Sequence, residues 1–131
     1  MAGWKKPFNI MQEQIKFKLS DSFRNGPSVD SKSIGDELQR NLKAIESLLT
    51  AYYFKSRGRI FGVNLVVDSV EVLNDSLAKF LVRYSVGQFN ACADVDYVEQ
   101  ESMEMLIDID FQALEAIITG EYIPEREPDE L

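Results

Sequence analysis

The chain has 131 residues, enough for one domain that buries about two-thirds of its unfolded surface and too short for a second. Its 45% apolar content, with eight Phe, five Tyr and one Trp, suits a folding chain, and its net charge of −8 argues against nucleic acid, whose binding draws on Lys and Arg displacing counterions. The single cysteine, Cys92, excludes an internal disulfide, and the lack of histidine removes the Cys/His zinc sites and every His-dependent triad.

The charge is unevenly placed. Residues 1–19 carry Lys5, Lys6, Lys16 and Lys18 against Glu13, a net of +3 that leaves −11 for the remainder. No apolar signal-peptide core opens the sequence, and no run reaches the roughly eighteen apolar residues of a membrane helix. The expectation is a chain without a membrane span, cytoplasmic or held within an assembled particle.

Trp4, Phe8, Met11, Ile15 and Leu19 recur at helical spacing and predict a short N-terminal helix over about 7–14. Its continuation is ambiguous, because Ile15, Phe17 and Leu19 also alternate with Lys16 and Lys18 as in a strand. "SDSFRNGPSVDSKS" then reads as a loop with a strong Asn-Gly-Pro turn signal. From Ser33, a plausible N-cap, to about Lys55 the stripe Ile34, Leu38, Leu42, Ile45, Leu49 and Tyr52 predicts one long amphipathic helix, stopped at Gly58.

Four strand-like runs follow, 59–72, 77–87, 91–98 and 102–110, with short joints between them that imply an antiparallel meander. The apolar phase of the first run slips near Asp68 and Ser69, which predicts a β-bulge. A joint at 87–90 sets Val86 opposite Ala91 and Arg83 opposite Asp94, and a joint at 98–102 sets Asp96 opposite Glu104. Asp110 then caps a short final helix, 111–119. The predicted fold is α+β: a long helix plus short N- and C-terminal helices packed on a four-stranded antiparallel meander sheet. Residues 1–27 form a basic amphipathic segment and loop, 28–123 the single domain, and 124–131 an acidic tail.

"NACADVDYVEQESMEMLIDID", residues 90–110, holds seven carboxylates and no cation. In the predicted register Asp94, Asp96, Glu104 and Asp108 share the outer sheet face, either as a solvated surface or as a docking surface for a basic partner. Carboxylates projecting in parallel from strands do not converge as calcium or magnesium requires, nor do they form the cleft of a glycosidase. No phosphate-cradling loop or dinucleotide fingerprint occurs, so no cofactor is expected. Cys92, flanked by two alanines with no His to activate it, reads as a packed side chain.

Two further segments suit contact with protein. Trp4, Phe8 and Met11 beside four lysines fit a surface that folds back on the core or engages a partner subunit. "YYFKSRGRIF" offers Tyr53, Arg57 and Arg59, residue types enriched at interface hot spots, although a basic helix end with core aromatics accounts for the same pattern. Three functions follow as expectations. The first is a non-catalytic interaction module, a subunit of a larger assembly of viral or phage-like kind, bound to a basic protein or to a copy of itself as a homo-oligomer. The second is a small acidic inhibitor, of immunity or anti-defence type, of a basic toxin or nuclease. The third is a pocket module enclosing a small apolar ligand, with Tyr84 and Tyr97 as its polar groups.

Overall fold

The computed structural model describes residues 10–24, 30–54, 58–89, 95–121 and 123–124, of which 10–11, 88–89, 95–97 and 123–124 are described by backbone alone. In chain order the elements are β1 (Ile10–Met11), β2 (Gln14–Lys18), a 3-10 turn (Asp21–Phe23), α1 (Ser31–Arg40), α2 (Leu42–Tyr53), β3 (Arg59–Asn74), β4 (Leu77–Phe89), β5 (Val95–Asp110), β6 (Glu115–Thr119) and β7 (Ile123–Pro124). The fold is α+β, with both helices packed on a five-stranded antiparallel sheet of order β2-β6-β5-β4-β3 and a separate β1-β7 ladder.

The helical stripe is the seed of the core. Ile34, Leu38, Ile45, Leu49 and Tyr52 are all buried, as the 3.6-residue period requires, and Leu42 is half-buried. The expected single helix is two, however. Asn41 breaks it by turning its side-chain amide onto the Glu37 carbonyl at 2.9 Å, so that one residue closes α1 and opens α2. The helix also begins before the expected cap: Asp30 is the N-cap, accepting the Ser33 N–H at 2.9 Å, and that backbone bond holds its carboxyl below the usual carboxylate range.

Against the helices, β4 sets Ala78, Phe80, Val82, Tyr84 and Val86 inward, and β5 adds Met103, Met105, Ile107 and Ile109. Each large apolar side chain removed from water in this way contributes about 1.5–3 kcal/mol. The bulge expected near Asp68 and Ser69 is present as a register break between Val66 and Glu71. Ser69 seals it, since its hydroxyl accepts the Leu81 N–H at 2.8 Å and donates to the Val66 carbonyl at 2.6 Å. A second break, between Phe61 and Asn64, uses the positive φ of Gly62 (64°).

Three expected elements are corrected. Within the expected N-terminal helix and its continuation, residues 10–11 and 14–18 are strands: 10–11 pair with β7 and 14–18 with β6, and Ile15 and Phe17 face the core while Lys16 and Lys18 face out. The final helix is a turn and a strand instead. Asp110 accepts the N–H groups of Gln112 and Ala113, Leu114 takes a left-handed φ of 56°, and Ala116 and Ile118 then point inward at period two. The joint expected at 98–102 does not exist. β5 runs unbroken from Val95 to Asp110, so Tyr84 lies opposite Glu101, Arg83 opposite Ser102, and Asp96 and Glu104 lie on one strand rather than facing each other.

Two buried polar groups fix the ends of the helices. Glu37, 2% exposed, accepts the Ser20 N–H and hydroxyl, both at 2.9 Å, and so ties the segment after β2 to α1. At the end of α2 the Tyr52 hydroxyl accepts the Glu13 N–H and donates to the Glu121 carbonyl. Burial raises the Tyr52 phenol above its ordinary value.

Candidate interaction site

The acidic stretch lies mostly on β5, and the neighbours of that strand decide what it can do. On one side β4 pairs regularly from Leu77 opposite Asp108 to Gln88 opposite Tyr97. On the other side β6 reaches only Leu106 to Asp110. Beyond Thr119 the chain leaves β5: the Gly120 N–H donates to the Glu13 carbonyl, and Gln12 donates to the Gly120 carbonyl. Gly120 permits the departure sterically, because a Cβ there would meet Tyr52 ring atoms at 2.6 Å. Among the described residues, 98–103 therefore have no strand beside them on this side.

Backbone direction follows from the ladder. Ile109 donates to Ser76 on the β4 side, and Leu81, opposite Glu104, turns its N–H toward β3. Odd residues of β5 thus direct their polar backbone groups to β4, and Val98, Gln100, Ser102 and Glu104 direct theirs to the open edge. Glu104 confirms the parity, since its N–H leaves the sheet to bond the Glu121 carboxylate at 2.9 Å.

The side chains alternate too. Glu99 and Glu101 project from the helix-bearing face yet are exposed, although Val86 and Tyr84, opposite them on β4, are buried, Tyr84 against Tyr53. Those rings meet edge to face with centroids 6.0 Å apart, and their hydroxyls are 3.1 Å apart. Burial raises both phenols, and the charges of Glu101 and Glu121 raise them further, which places these carboxylates within electrostatic reach of the pair. No ion pair engages Glu99 or Glu101 among the described residues.

The chain matches no family model, no curated protein and no solved structure. Its own geometry carries the functional reading.

The structure brings together only part of the expected acidic face. Glu104 and Asp108 are exposed on the outer face, but Lys79 lies 3.7 Å from both Glu104 and Glu71, and Asp108 sits between Leu77 and Ile117. Asp96 belongs to β5 by its backbone, and Asp94 lies outside the described residues, as do Trp4, Phe8, Arg57 and Cys92. Met11 pairs with Ile123 in the β1-β7 ladder. Tyr53 closes the core against Tyr84 rather than standing free, and Arg59 opens β3 opposite Gly87. Sequence reasoning missed Glu99, Glu101 and Glu121; the signal for the first two was "VEQES", which contains neither Gly, Pro nor Asn and so makes a poor joint.

Elsewhere, α1 and β3 flank an open groove of about 440 Å³ that includes Lys32, Asp36 and Asp68, with Lys32 and Asp36 3.4 Å apart. Among the described residues no three His, Cys, Asp or Glu side chains converge on a metal position, and no helix is long and apolar enough to cross a membrane.

Proposed function

We propose that this chain is a non-catalytic protein–protein interaction module, a subunit of a larger assembly, that offers the acidic stretch of β5 to a basic partner. One observation carries the reading: Glu99 and Glu101 stand exposed and without ion pairs beside a strand edge whose backbone groups are unpaired among the described residues. A patch of one sign steers an oppositely charged partner and repels wrong ones. The side chains that would otherwise suggest chemistry serve the fold, since Glu37, Tyr52, Tyr53 and Tyr84 bond to neighbouring elements or to one another. A copy of the same chain qualifies as the partner, because residues 1–9 carry Lys5 and Lys6 and no acid.

Light scattering at low and high salt tests the assembly reading. The expected result is a mass above the 14.9 kDa monomer at low salt that falls at high salt, and that falls in Glu99→Lys/Glu101→Lys but not in the equally charged Asp36→Lys/Asp75→Lys. A monomer under every condition would contradict self-assembly and favour the acidic-inhibitor reading of the same surface.

A further inference from the structure

We infer that β5 takes its partner as an added strand: an extended segment bearing Lys or Arg at alternate positions pairs with the open edge of residues 98–103. This deepens the interaction reading above and rests on it. Among the described residues nothing pairs with the N–H and C=O groups of Val98, Gln100 and Ser102, and these are the backbone partners of the added strand. Its length is bounded at one end by Glu121, whose carboxylate already occupies the Glu104 N–H.

The composition of the edge selects the occupant. Sheets ordinarily protect their edges with bulges, lysines, proline or short strands. The other two edges of this sheet do so: β3 carries three register irregularities, and β2 has five residues, of which Lys16 and Lys18 are two. The open part of β5 has none of these devices and is regular throughout. What it has is Glu99 and Glu101, two residues apart on one face and hence about 6.7 Å along the strand. A second acidic strand would set like charges side by side and is rejected. A strand with cations at every second position sets each cation beside a carboxylate, while Gln100 and Ser102 offer polar groups on the other face.

The test uses the full chain and an eight-residue probe, Thr-Lys-Val-Lys-Thr-Lys-Val-Thr with blocked ends, followed by amide hydrogen exchange resolved by NMR. Saturating peptide is expected to slow exchange at Gln100 and Ser102 at least tenfold. Glu99→Lys/Glu101→Lys is expected to weaken binding at least tenfold, and N-methylation of alternate peptide residues to remove the protection without altering the protein. Binding that leaves the Gln100 and Ser102 amides unchanged would overturn strand addition while leaving acidic docking intact. No binding at millimolar peptide, or equal binding of the Glu-for-Lys peptide, would overturn the inference outright. Salt-sensitive protection of the same amides at rising protein concentration, without peptide, would support strand addition and show a second copy of the chain as its source.

Discussion

Replacing Gly120 by alanine tests how the open edge is created. The new Cβ would stand 2.6 Å from both Cε2 and the hydroxyl oxygen of Tyr52 and 2.9 Å from Cζ. Ordinary contact begins near 3.5 Å, so the ring must move by about 1 Å. Tyr52 is only 6% exposed, and its hydroxyl bonds Glu13 and Glu121, so the movement strains the core and stretches both bonds. Overpacking costs about 1–3 kcal/mol. Two weakened hydrogen bonds add about 1 kcal/mol each. Urea denaturation followed by circular dichroism should thus show Gly120→Ala destabilised by roughly 3–5 kcal/mol. In a Tyr52→Leu background, where the clashing atoms are gone, the same substitution should cost less than about 1 kcal/mol. An equal cost in the two backgrounds would refute the steric account.

Two other substitutions probe further buried polar groups. Glu37→Ala removes the acceptor of both Ser20 donors and should cost about 2–3 kcal/mol in urea denaturation, with Glu37→Gln milder because one oxygen still accepts; a change under about 0.5 kcal/mol would contradict the tie between α1 and the segment after β2. The Tyr84 phenol is held above its ordinary value of 10.0, first by burial and then by its bond to Tyr53. The folded chain therefore keeps a proton that the unfolded chain releases, so this stability is complete below about pH 10 and declines above it, by up to about 1.4 kcal/mol per pH unit for each such tyrosine. Tyr84→Phe should show a shallower decline between about pH 10 and 11.5 than the natural chain, and equal slopes would contradict the assignment.

The parts of the fold legible in sequence were those set by local periodicity. The stripe from Ile34 to Tyr52 marked the helical face, although Asn41 divides the helix because its amide competes for the Glu37 carbonyl. The phase slip at Asp68 and Ser69 marked the bulge, and the "NDS" joint marked the turn into β4, where the Asn74 side chain accepts the Ser76 N–H. What remained illegible was decided across the chain. Leu114, Ile117 and Ile118 fit a helix locally, yet β2 lies more than ninety residues earlier and pairs with this segment as a strand. Of the candidate site, the acidic character of residues 90–110 was legible from composition, but its distribution depended on register. Val95 and Tyr97 before Glu99 and Glu101, and Met103, Met105, Ile107 and Ile109 after them, keep the same odd phase, which was the sign of one long strand. An assumed joint at 98–102 hid both that strand and its open edge.

The most direct test of the account is amide hydrogen exchange along β5 in the free chain at a concentration where it is monomeric. Slow exchange at Glu99, Glu101 and Met103, alternating with fast exchange at Val98, Gln100 and Ser102, is the predicted result. Uniform protection from 98 to 103 would show the edge already covered and would contradict the claim that this strand awaits a partner.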